Sequence, residues 1–314
     1  MSTGPLRRAR CIPVILRAEV KRLLLLSLIA VFLAAAGATS SATRPPALLT
    51  YSKTAQPSGL CLARADGSRR FRLTRGKDSH PSWSPRGAYV AFARLTEPGR
   101  SQILVADARG RVLRRFGTGY SIQPAWSPNG ERIAYSSSTR LVVANRAGQT
   151  VVEHSIAALA GGPTWSPDSR RLAFTIALAI DEGAGARAQR GIYVMNANGT
   201  GRRLLVANAS DPAWSPDGSK IAYVSYGSRV AEGGFVTVAN VDGSGARRLT
   251  TSVENESQPA WSPGGRQIAF MRGVGEIIVA PSTGGAERVA VRDAVDPAWR
   301  SQTILPKARR AACL

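Results

Sequence analysis

The sequence predicts an all-β fold, a six-bladed β-propeller of four-stranded antiparallel blades closed by pairing of N- and C-terminal strands. Three observations carry this expectation. All six tryptophans, Trp83, Trp126, Trp165, Trp214, Trp261 and Trp299, stand two residues after a proline, and their successive spacings are 43, 39, 49, 47 and 38 residues. Recurrence at that period marks propellers or helical arrays. Between tryptophans lie short runs rich in β-branched and aromatic residues, each punctuated by Gly, Asp, Asn, Pro or Ser, which is a hairpin pattern. Finally, the repeat begins on one strand type and ends on another, so the two ends can complete a single blade.

Taken in order, residues 1–42 read as a signal peptide or N-terminal membrane anchor. Arg7, Arg8, Arg10, Arg17, Lys21 and Arg22 precede the apolar run Leu23 to Ala36, and small residues follow, the three parts of a secretory leader. Fourteen residues fall short of the roughly 20 needed to span a bilayer as a helix. Cleavage after about Ala38 is therefore the expectation, with retention as an anchor through residues 23–36 the alternative.

Residues 43–314 read as the propeller. The unit around Trp214 runs "PAWS", the turn "PDG", "KIAYVS", a loop, "FVTVANV", "DGSG" and "ARRLTT", four short strands. Proline presets φ for a turn's first corner and glycine supplies the positive φ that closes it. The acid between them is a turn residue, since Arg86, Asn129 and Gly264 replace it elsewhere in the chain. The tryptophans are expected to pack the structural core of the repeat, each burying ~150–250 Å². Second-strand segments occur six times, from Leu48 to Lys53 through Gln267 to Arg272, and the 272 residues give about 45 per blade.

The stretch "PAWSPDGSKIAYVS…VTVANVDGSGARRLT" resembles the WD-repeat-like β-propeller repeat of the TolB family. That resemblance implies a propeller located in the cell envelope or outside the cell and acting as a protein-interaction platform.

Candidate binding residues are sought where repeats differ. The position directly before each Pro-x-Trp holds His80, Gln123, Gly162, Asp211, Gln258 and Asp296 in turn. If the tryptophan strands are innermost, these residues ring one mouth of the central channel, and His80, Gln123, Asp211, Gln258 and Asp296 become the candidate ligand- or partner-binding set. Read as exposed side chains, Asp211 and Asp296 are expected to be replaceable by Ala within ~0.5 kcal/mol. The loop from Ala177 to Arg190 and the loop after Ser225 are further candidates, because insertions in repeats often carry binding.

No cofactor, metal or catalytic residue is expected. There is no C-x-x-C, the only histidines are His80 and His154, and no G-x-S-x-G elbow is present. Cys61 and Cys313 could staple the C-terminal tail to the first strands or remain two separate thiols. The net charge of +22 leaves 36 basic and 19 acidic residues beyond the leader. Pairs such as Arg69 and Arg70, Arg202 and Arg203, and Arg247 and Arg248 recur before each outermost strand, where charge deters edge-to-edge pairing.

The leading functional expectation is a monomeric, exported, non-catalytic scaffold, periplasmic or extracellular, that binds another envelope protein or peptide. Nucleic acid is not an expected partner. A basic propeller on an anionic wall polymer or lipid surface is the second reading, and a carbohydrate-active or hydrolytic enzyme is the third.

Overall fold

The computed structural model describes residues 47–53, 58–156, 159–180, 187–227, 233–301 and 313. The expected leader and the central parts of both long loops lie outside these residues.

The first blade takes β1 (Leu48–Lys53), β2 (Gly59–Arg64) and β3 (Phe71–Arg72) from the start of the propeller. The second is β4 (Asp78–Trp83), β5 (Tyr89–Glu97), β6 (Arg100–Asp107) and β7 (Val112–Phe116). The third is β8 (Ser121–Trp126), β9 (Arg132–Ser137), β10 (Arg140–Asn145) and β11 (Thr150–Ser155). The fourth is β12 (Leu159–Trp165), β13 (Arg171–Ile180), β14 (Arg187–Asn196) and β15 (Arg203–Ala207). The fifth is β16 (Ala209–Trp214), β17 (Lys220–Tyr226), β18 (Gly234–Asn240) and β19 (Arg247–Arg248). The sixth is β20 (Glu256–Trp261), β21 (Gln267–Arg272), β22 (Glu276–Pro281) and β23 (Arg288–Arg292).

The last strand, β24 (Ala294–Arg300), returns to the first blade, whose order is β24-β1-β2-β3. It pairs antiparallel with β1, setting Leu48 against Arg300 and Leu49 against Trp299. Thus the sequence expectation of one blade shared between the two ends holds.

Every tryptophan strand adjoins the tryptophan strands of its neighbours around the axis, so these strands are innermost. The second and third strands of each blade are buried on both faces, as in Lys220–Tyr226 with four consecutive buried residues. Blades stack face to face, which is why these segments read as continuous apolar runs rather than as alternations. Outer strands differ: Val112–Phe116 and Thr150–Ser155 bury almost nothing. Arg114, Arg115, Arg203, Arg247, Arg248, Arg288 and Arg292 lie on outermost strands of four blades. Positive charge is spread as a belt on the rim, which suits protection of exposed edges.

The tryptophans sit between blades. Trp165 packs with Leu141 and Val143 of the third blade as well as Leu172 and Phe174 of its own. Trp214 bridges Ile192 and Val194 of the fourth blade to Ile221 and Tyr223 of the fifth. The indole Nε1 groups of Trp165, Trp261 and Trp299 donate to Ala125 O, Ala213 O and Ala260 O of the preceding blade at 3.0, 3.0 and 2.9 Å. Trp83 Nε1 donates to Thr50 Oγ1 at 2.7 Å. The rings therefore fill the inter-blade gaps, and these four also tie two blades together by one hydrogen bond each.

The Ser-Pro-Asp-Gly segment is a turn held by its own side chains. Gly218 has φ 74° and its N–H donates to Ser215 O at 3.0 Å. Ser215 Oγ donates to Asp217 Oδ1 at 2.5 Å and accepts the Lys220 N–H at 2.9 Å. The serine hydroxyl holds the Asp217 carboxyl below the ordinary carboxylate range.

Closure is reinforced beyond the strand ladder. Arg300 Nη2 donates to Gly87 O at 2.9 Å and Ser301 Oγ to Pro85 O at 2.6 Å, joining the end of β24 to the turn of the second blade. Cys61 on β2 is disulfide-bonded to Cys313, 252 residues later, with 6.2 Å between their Cα atoms. The staple is the arrangement that forms.

Candidate functional site at the channel mouth

Six structurally equivalent positions meet at the axis: His80, Gln123, Gly162, Asp211, Gln258 and Asp296 all take φ between 51° and 56°. This is the left-handed region, uncommon outside glycine. Each occurrence is a β-bulge. In the fifth blade, for example, Ser210 pairs with Val224 and Ala213 with Ala222, so Asp211 and Pro212 oppose Tyr223 alone. Proline has no N–H for the ladder, and the bulge re-aims the residue before it.

All five sequence-predicted site residues thus come together, and they line a cavity of about 340 Å³ with the Pro-x-Trp segments. Their side chains are not free solvated groups, as the sequence reading supposed. A bulge releases the backbone N–H of its left-handed residue, and at five of the six positions a side chain from the preceding blade takes it. Gln123 Oε1 accepts from Gly162 N at 2.8 Å, Asp211 Oδ2 from Gln258 N at 3.3 Å, Gln258 Oε1 from Asp296 N at 3.1 Å and Asp296 Oδ2 from His80 N at 3.0 Å. Glycine at 162 offers no side chain, and there Thr175 Oγ1 accepts the Asp211 N–H at 3.0 Å instead.

Asp296 is the most committed member. It is 7 % exposed and also accepts from Ser52 Oγ at 2.9 Å and Gln258 Nε2 at 2.6 Å, with His80 Nε2 3.5 Å away. The expectation that Asp211 and Asp296 are exposed and replaceable together within ~0.5 kcal/mol is therefore corrected at Asp296, which is buried. Asp296→Ala leaves the buried Ser52 hydroxyl and the half-buried Gln258 amide and His80 N–H without their acceptor and should lower stability by about 2–4 kcal/mol, measured by urea denaturation of the variant. Asp211 differs, because burial pushes its carboxyl above the ordinary range against the opposing influence of the Gln258 N–H, His80 and Arg190.

The ring has one gap. A Cβ placed on Gly162 would meet Asp211 Oδ1 at 3.7 Å and Gln123 Nε2 at 4.0 Å. An amide donor and a carboxylate acceptor therefore border a notch that no side chain fills.

Sequence reasoning missed two buried ion pairs. Asp78, 4 % exposed, accepts from Arg94 Nη2 at 2.8 Å and Thr74 Oγ1 at 2.5 Å. Glu256, 1 % exposed, accepts from Arg272 Nη2 at 2.7 Å and Thr250 Oγ1 at 2.5 Å. The signal was present: an acid five residues before tryptophan, arginine eleven after it and threonine just upstream, at Trp83 and again at Trp261. Fully paired, these carboxylates tie the first two strands of their own blade to the linker before it rather than offer chemistry. Among the described residues no group of three or more His, Cys, Asp or Glu is placed to hold a metal ion.

The sequence profile of the TolB beta propeller domain matches residues 118–295, more than half of the chain. The chain belongs to the TolB β-propeller domain family. Among solved structures, TolB from Acinetobacter baumannii superposes with a TM-score of 0.62 at 19% identity, covering 81% of this chain and 66% of that one. A putative TolB from Agrobacterium tumefaciens gives 0.56 at 18% identity, with 79% and 88% covered. An oligogalacturonate lyase in complex with manganese gives 0.51 at 16% identity, with 78% and 74% covered. At these identities the likeness concerns the fold. No curated protein sequence matches significantly. Among the described residues no helix is long and apolar enough to cross a membrane.

Proposed function

We propose that this TolB-family propeller is an exported, non-catalytic binding protein that receives a peptide segment of an envelope protein at its channel mouth. The observation that carries this reading is the notch at Gly162. Five positions of the ring are occupied by side chains that bridge to a neighbour or to its backbone, whereas the sixth leaves Gln123 Nε2 and Asp211 Oδ1 facing unfilled space. A donor beside an acceptor matches one backbone amide of an extended peptide. The basic, then apolar, pattern of residues 1–42 is the support for export.

Gly162→Gln tests this directly. Gln123 and Gln258 already occupy the same left-handed bulge in other blades, so the backbone accepts glutamine there. The new side chain would fill the notch and compete for the Asp211 N–H. Stability should change by no more than about 1 kcal/mol, while capture of the envelope partner by the mature chain should be lost. Undiminished capture by this variant would overturn the proposal.

A further inference from the structure

Arg86 occupies a turn position where three other blades use Asn129, Asp168 and Asp217 to accept a hydrogen bond from the turn serine. A guanidinium has no acceptor and cannot serve the turn in that way. Its side chain is exposed and makes no hydrogen bond or ion pair among the described residues. Arg146, in the hairpin turn between β10 and β11, is exposed and unpaired as well.

Both arginines border one cleft of about 520 Å³ between the second and third blades, with Tyr89, Trp126, Pro85 and Pro128 among its walls and no Asp or Glu lining it. Two corresponding clefts elsewhere each contain acid beside their bases. One sets Glu131 and Asp168 beside Arg132 and Arg170, and another sets Asp217 beside Lys220 and Arg247. Trp126 gives the cleft an aromatic wall. It is 8 % exposed and its Nε1 has no acceptor, whereas Trp165, Trp261 and Trp299 give theirs to the preceding blade. Trp214 Nε1 is also unpaired, but that ring lines the central channel. The unused hydrogen-bonding groups that Arg86 and Arg146 bring to the cleft are all donors, whereas Trp126 Nε1 is itself buried.

The geometry points to a binding site for an oxyanion, carboxylate or phosphate, carried on an organic body with an apolar face. Arg86 and Arg146 hold the charged group, since planar guanidinium forks suit both anions. Tyr89, Trp126 and the two prolines contact the apolar face. The site lies beyond the Ser-Pro turns, away from the bulge ring, and is independent of the proposed peptide site.

The test follows the six indole N–H signals of ¹⁵N-labelled mature protein during titration with phenyl phosphate, benzoate and inorganic phosphate. One signal, assigned to Trp126 by its disappearance in Trp126→Phe, should shift and saturate with phenyl phosphate or benzoate. The two organic anions separate phosphate from carboxylate preference. Arg86→Gln combined with Arg146→Gln should weaken binding about tenfold or more at an unchanged melting temperature, because both side chains are exposed. No indole shift by about 10 mM anion, or equal binding by the double variant, overturns the site. Inorganic phosphate binding as tightly as phenyl phosphate overturns the role given to the aromatic wall.

Discussion

Trp165→Ala should destabilise the propeller by about 3–5 kcal/mol, the cost of emptying a large apolar site that cannot collapse. The ring is 4 % exposed and touches apolar residues of two blades at once, so its loss opens an interface as well as a core. Chemical denaturation with tryptophan-independent detection would read the effect. A comparison of phenylalanine variants separates volume from hydrogen bonding. Trp165→Phe removes the donor to Ala125 O, whereas Trp214 Nε1 has no acceptor to lose. The first replacement should cost about 1 kcal/mol more than the second. Equal costs would show that the inter-blade hydrogen bond adds nothing.

Deletion of everything after Val295 should abolish the single cooperative unfolding transition or lower its midpoint by more than about 10 °C. The deletion removes most of β24, exposing the inner edge of β1 as an unpaired strand. It also removes Asp296, Trp299 and the Arg300 donation to Gly87 O. Because Cys313 is lost too, the Cys61→Ser and Cys313→Ser double variant is the control. It should lose about 2–4 kcal/mol yet keep one transition, since the strand ladder still closes the ring. A truncated chain that melts like the full mature protein would refute closure by a shared blade.

The architecture was legible because the tryptophan frame repeats with its turn and its buried second strand. One strand type at each end then required a shared blade. The ring positions were legible as the variable residues before Pro-x-Trp, but their conformation was hidden. A residue before proline is biased toward extended backbone, so nothing at Gln123 or Asp211 announces φ above 50°. Burial of Asp296 was likewise hidden, because its donors Ser52 and His80 lie 244 and 216 residues away and meet it only when the ring closes. The Cys61–Cys313 disulfide was open for the same reason. Asp78 with Arg94 and Glu256 with Arg272 were readable in principle, yet only two of six repeats carry the pattern, too few to stand out against ordinary surface charge.

The central claim is that partner binding occurs at the bulge ring. The most direct measurement places a photo-crosslinking residue at position 123, beside the notch, or at position 217, in an exposed turn of the fifth blade, and irradiates each chain with envelope extract. The account predicts a discrete covalent adduct from position 123 and none from position 217. An adduct from position 217 in equal yield, or none from position 123 although the partner is captured, would contradict it.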